Sequence, residues 1–133
     1  MRILSRIVIH YTATPPDMDI GVTRVREWHL ARGFSDVGYH YVVRLDGTVE
    51  KGRDLARPGA HAHGHNHDSV GICYVGGGTG QDTRTPAQKN SITDLITAVR
   101  LLFGEHIKVY GHRELAGAAT LCPGFDASKE YNG

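Results

Sequence analysis

An α/β fold, with a mixed central β-sheet flanked by α-helices, is predicted from three features of the 133-residue chain. Apolar, β-branched runs too short for helices recur at 7–9, 70–75 and 107–110. Segments of helical period separate them, near 22–32 and again from Thr85. One hairpin signal, Asp46-Gly47, interrupts the alternation, so the sheet must be mixed rather than wholly parallel. No repeat or linker divides the chain, and residues 1–133 are expected to form one domain.

The elements follow in order. Ile7-Val8-Ile9 reads as a buried strand ending at His10, and Thr14-Pro15-Pro16-Asp17 marks the loop after it. Val22, Val25 and either Trp28 or His29 share a helical face, with Gly33 as the stop. A strand over 39–45 places Tyr39, Tyr41, Val43 and Leu45 on one side. Asp46-Gly47 is expected to make a two-residue turn, with 48–51 returning as the partner strand. Residues 54–68 are loop-like, 70–75 is a buried strand, and Gly76-Gly77-Gly78-Thr79-Gly80 reads as flexible. Thr85 then caps a helix, with Pro86 at its first position and Gln88 completing a capping box. Its apolar stripe comprises Ile92, Leu95, Ile96, Val99, Leu102 and Phe103, and Gly104 ends it. The last strand, 107–110, runs into Gly111-His112.

Composition narrows the function. Hydrophobic residues are 40% of the chain, charged residues 22%, and the formal net charge is +1. That balance is ordinary for a globular domain and gives no electrostatic reason to expect a nucleic-acid partner. No apolar run approaches the ~18 residues that span a bilayer, so no membrane insertion is expected. The first residues lack an apolar signal region and cleavage site, so no signal peptide is expected and synthesis is assigned to the cytosol. Of the two cysteines, Cys73 sits in an apolar strand and reads as a small buried hydrophobe. Cys122, beside Pro123 and Gly124, reads as a loop thiol kept for chemistry.

In open α/β sheets, sites gather in a cleft at strand ends. His10 and His112 both end predicted strands, and Cys122 follows in a loop. Two imidazoles and a thiolate are a sound ligand set for catalytic zinc, leaving the fourth tetrahedral position for water. Either histidine alone would more commonly be a hydrogen-bonded structural residue. Among the nine histidines, His40 reads as structural and His29 as packing or surface, while His106 has no evident partner. His61, His63, His65 and His67 alternate in a Gly-rich loop, which suits either a metal tract or a solvated surface. A metal buffer on this tract is an alternative to an enzyme.

Six motifs occur in order: Val8-Ile9-His10-Tyr11-Thr12-Ala13-Thr14, Asp36-Val37-Gly38-Tyr39-His40-Tyr41, Asp46-Gly47-Thr48-Val49-Glu50, Gly59-Ala60-His61, Asn66-His67-Asp68-Ser69-Val70-Gly71-Ile72, and His112-Arg113-Glu114 through Cys122-Pro123-Gly124. With them the chain resembles the zinc-dependent N-acetylmuramoyl-L-alanine amidases, in particular the small bacteriophage lysozyme-type amidases and the related peptidoglycan recognition proteins. The resemblance runs roughly from Arg6 to Phe125.

It implies one Zn2+ per chain held by His10, His112 and Cys122, with Tyr39 and Thr120 assisting catalysis. It also implies that His61, Asn66 and His67 lie along the groove that receives peptidoglycan. Two departures stand out. The interval from His112 to Cys122 is longer than usual in the family, so a bulged loop is expected. Thr120 occupies the place where the phage amidases carry lysine, and where recognition proteins retaining amidase activity often have threonine.

The expected reaction is hydrolysis of the N-acetylmuramic acid–L-alanine amide by a monomeric phage endolysin. Such an enzyme would be made in the host cytoplasm and reach the wall after release. Two other readings remain: a non-catalytic peptidoglycan-binding module, and a regulator of a phage RNA polymerase, a partner that some amidases of this type bind.

Overall fold

A computed structural model describes residues 2–133. Five strands form one sheet in the order β3-β2-β4-β1-β5: β1 (Arg6–Tyr11), β2 (Tyr41–Val43), β3 (Val49–Lys51), β4 (Ser69–Tyr74) and β5 (Lys108–Gly111). β1 runs parallel to β4 and β5, β2 runs parallel to β4, and the β2–β3 hairpin is antiparallel. The expected mixed sheet is therefore observed. Among the described residues, no helix is long and apolar enough to cross a membrane.

Successive side chains on a strand point to opposite faces, and that period sorts the core from the site. Ile7 and Ile9 of β1, with Val70, Ile72 and Tyr74 of β4, join one apolar cluster. The long helix α2 (Pro86–Phe103) covers that face through Ile92, Ile96 and Val99. Val8 packs in a second, smaller cluster with Ala62 and Leu115. The helix α1 (Val22–Ala31) buries Val25 and His29, which decides between His29 and Trp28. Trp28 remains exposed.

α2 starts as its sequence dictates. Thr85 Oγ1 accepts from the Gln88 amide at 3.1 Å, and Gln88 Oε1 accepts from the Thr85 amide at 2.9 Å. Its buried stripe departs from expectation at one residue. Leu102 is 73% exposed, because the stripe through Val99 continues one residue later at Phe103.

The hairpin also differs from expectation. The Gly47 amide donates to the Arg44 carbonyl and the Arg44 amide to the Thr48 carbonyl, enclosing a three-residue loop. Gly47 takes a φ of +88°, a left-handed conformation that glycine adopts without steric cost. Regular strand is consequently confined to Tyr41–Val43, shorter than the expected 39–45. Val42 and Val43 are both buried, so strict in–out alternation fails on this twice-covered strand.

The 76–80 segment, expected to be flexible, is tied down. The Gly76 amide donates to Thr12 Oγ1, the Gly77 amide to Thr83 Oγ1, and the Thr14 amide to the Gly76 carbonyl. A short C-terminal helix, α3 (Ala127–Tyr131), was not anticipated from the sequence. It docks through Arg84, whose guanidinium meets Asp82 and Glu130 and lies 3.4 Å from the centre of the Phe125 ring.

Candidate metal centre

His10, near the end of β1, His112, following β5, and Cys122, in the last loop, converge. One ligand atom from each lies within 4.8 Å of the others, and among the described residues no other such cluster of three occurs. Alternation on β1 sends His10 away from the α2 core, and the imidazole rings of His10 and His112 stand 4.7 Å apart. The Tyr11 amide points at Cys122 Sγ from 3.2 Å, a contact that favours the thiolate. The Arg113 amide donates to the Cys122 carbonyl at 2.7 Å, closing the long interval at its base. Residues 116–121 lie within that closure and are largely exposed.

Burial dominates the electrostatics. It holds His10 well below the usual imidazole range, with neighbouring His61 and His112 adding to the effect. His112 is lowered too, chiefly by burial. Neutral imidazoles are the form in which a ring nitrogen ligates. Burial pushes the Cys122 thiol up to about 12, with the Tyr11 amide opposing. A divalent cation reverses that preference, because a coordinating thiol is deprotonated outright. Two neutral imidazoles and one amide-supported sulfur fit zinc.

The cluster lines a cleft of about 470 Å³. Tyr39, Thr120, His61 and Asn66 line it as well, together with His29, Arg32 and His63. Tyr39 stacks near His10 and His29, at 5.1 and 5.3 Å between ring centres. Burial, then the nearby Cys73 and Cys122 thiols, raise its hydroxyl well above the ordinary phenol range. Thr120 Oγ1 accepts from the Cys122 amide at 3.1 Å, which leaves its own proton free to donate.

Asn66 plays a part that its sequence context did not reveal. Its Oδ1 accepts from the backbone amides of both His61 and Ala62, at 2.9 Å each. His67 lies outside the cleft, exposed beside Asp68 at 3.8 Å. The alternating histidines are thus dispersed: His65 bonds Arg6 and the Ala116 carbonyl, while His61 bonds His10. His40 is fully buried and structural, accepting from the Gly71 amide at Nδ1 and facing the Arg57 carbonyl at Nε2. His106 finds a partner in the Leu4 carbonyl at 3.2 Å. Cys73 and Cys122 are both free and buried.

A smaller pocket of about 120 Å³ adjoins the centre beyond His112, walled by Ala62, His65 and the 115–118 stretch.

Comparison with known proteins agrees with this architecture. The family described as N-acetylmuramoyl-L-alanine amidase matches residues 1–125. The endolysin of Escherichia phage T7 is 41% identical over 127 residues, covering 92% of this chain and 82% of the relative. Peptidoglycan-recognition protein SC2 of Drosophila melanogaster is 32% identical over 131 residues, covering 91% of this chain and 68% of the relative. The solved structure of the N-acetylmuramoyl-L-alanine amidase LysC from Clostridium intestinale superposes with a TM-score of 0.83 at 28% identity. That superposition covers 97% of this chain and 82% of the other. Sequence and fold therefore lead to the same place: the chain belongs to the N-acetylmuramoyl-L-alanine amidase family.

Proposed function

We propose that this amidase is a zinc-dependent endolysin. Its scissile bond is the amide joining the lactyl group of N-acetylmuramic acid to the first L-alanine of the stem peptide. The observation that carries the reading is the His10, His112 and Cys122 donor cluster, set in a cleft with Tyr39 and Thr120. Peptidoglycan hydrolysis follows from the family; the zinc requirement and the role in lysis are the steps beyond it.

His10, His112 and Cys122 would hold one zinc ion per chain. When bound, zinc supplies Lewis acidity to the scissile carbonyl and acidifies the attacking water. The chain's own residues do the rest. Tyr39, its hydroxyl kept protonated, donates a hydrogen bond to the oxygen that gains charge as the carbonyl becomes tetrahedral. Thr120, beside Cys122 in the cleft lining, offers a second donor. Arg32 places a cation at the cleft wall, and Asn66 fixes the loop that carries His61. As a monomeric phage enzyme, the protein would be made in the host cytoplasm and meet its polymer once the membrane is breached.

Purified peptidoglycan, incubated with zinc-loaded or chelator-treated protein and analysed by mass spectrometry, tests this directly. Stem peptides with a free N-terminal L-alanine, released only by the zinc-loaded sample, are expected. Intact zinc-loaded protein that binds the polymer and releases nothing would instead identify a recognition module.

A further inference from the structure

His61 is built into the protein more firmly than a substrate contact requires. Asn66 clamps its backbone, and its ring lies so close to β4 that a Cβ at Gly71 would fall 2.6 Å from its Cγ. Its two ring nitrogens both have partners. Nδ1 is 2.9 Å from His10 Nε2, and Nε2 is 3.2 Å from Ser69 Oγ. All three residues are buried, at 2% exposure for His10, 8% for His61 and 0% for Ser69.

The direction of each hydrogen bond follows from its neighbour. Ser69 Oγ lies 2.7 Å from the His65 carbonyl, which can only accept, so the hydroxyl spends its one proton there. Towards His61 the Ser69 oxygen must therefore accept, and His61 Nε2 must carry hydrogen. A neutral imidazole protonated at Nε2 has a bare Nδ1. That Nδ1 accepts from His10 Nε2–H, which leaves the lone pair of His10 on Nδ1.

We propose that Ser69 and His61 are positioning residues that fix the tautomer of His10 and assign its metal-ligating atom to Nδ1. The inference rests on the metal-centre reading above. A ligating histidine ordinarily donates its second N–H to a carboxylate, carbonyl or water. Here a second imidazole takes that place, and an imidazole accepts only in the right tautomer. The Ser69 hydroxyl supplies the missing instruction. With the opposite polarity, His10 would turn an N–H towards Cys122 and His112 and could not ligate.

Two measurements test the chain. Long-range 15N–1H NMR of the metal-free wild-type protein should find both His10 and His61 protonated at Nε2. Either ring protonated at Nδ1 would overturn the proposal, with no variant needed. Zinc competition against a chromogenic chelator gives the second readout. His61→Ala should weaken zinc binding roughly ten- to hundred-fold. His61→Asn, whose Oδ1 can stand in for the accepting Nδ1, should recover most of that loss. Wild-type affinity in His61→Ala would refute the positioning role. Wild-type protein that takes up no zinc would sink the metal centre itself, whereas zinc uptake with the wrong tautomers sinks only the chain.

Discussion

The ring of His61 occupies the space beside Gly71 that any side chain there would need, with a Cβ falling 2.6 Å from the ring. Ring and strand are both buried, so neither yields easily. Gly71→Ala should push His61 off its seat at a cost of about 1–3 kcal/mol. Denaturant unfolding and zinc content, measured on the same preparation, should both fall. Unchanged values for both would mean that the strand relaxes around the methyl group.

Cys122→Ser keeps the shape of the last loop and removes the soft ligand. It should abolish zinc retention and peptidoglycan hydrolysis together while the circular dichroism spectrum stays native. Metal analysis after gel filtration is the check, and a fully active variant would disprove the ligand assignment.

Tyr39→Phe separates binding from chemistry. The ring still packs between His10 and His29, so zinc should remain bound. Turnover should drop by roughly 10²-fold, the usual cost of losing one oxyanion donor. Equal turnover in both proteins would remove Tyr39 from the mechanism.

Arg84 is the buried cation that anchors α3, with Asp82 and Glu130 as its counter-charges. Replacing it with leucine leaves both carboxylates unpaired and strips the contact with Phe125. A loss of about 3 kcal/mol is expected in urea unfolding. A shift within experimental error would show that α3 holds without it.

Acid stability should carry the signature of His40. Burial first, then the nearby Arg2 and Arg53 charges, lower its pKa from 6.5 to about 4. Protonation would also set an N–H at Nδ1 against the Gly71 amide. The unfolded chain binds this proton more readily, so stability is intact above pH 6.5 and declines as pH falls towards 4. The full loss is about 3 kcal/mol. His40→Asn can still accept from the Gly71 amide through Oδ1, and its stability–pH slope should be shallower by about 1.4 kcal/mol per pH unit in that window. An unchanged slope would assign the acid sensitivity to other groups.

What could be read in the sequence was what local chemistry encodes. Thr85, Pro86 and Gln88 announce the start of α2 within four residues, and Ile7-Val8-Ile9 announces β1. The donor cluster was legible because His10 and His112 sit at strand ends and Cys122 lies beside a proline. Arg84 was not, because Glu130 and Tyr131 lie 46 and 47 residues away, and Asp82 two residues before it does not by itself mark a buried cation. The clamp made by Asn66 and the contact made by Ser69 were hidden for a related reason. Their work is done on the backbone and ring of His61, and a residue type alone does not state its partner. The His61–His67 alternation left a metal tract and a solvated surface both open, and the loop turns the rings of His61, His65 and His67 into different environments.

Between β4 and the edge strand β5, β1 places Arg6 opposite Ser69 on one side and Lys108 on the other. The first strand of the chain thus has no sequence-local neighbour, and both its ladders close across long intervening loops. High contact order of this kind slows folding, because loop entropy must be overcome before pairing returns any gain. A fragment cut between the hairpin and β5 would keep His10 but lose the edge that aligns it with His112. Reassociated halves should recover the cleft only at the rate at which β1 finds β5, which makes the appearance of zinc affinity a clock for that one pairing.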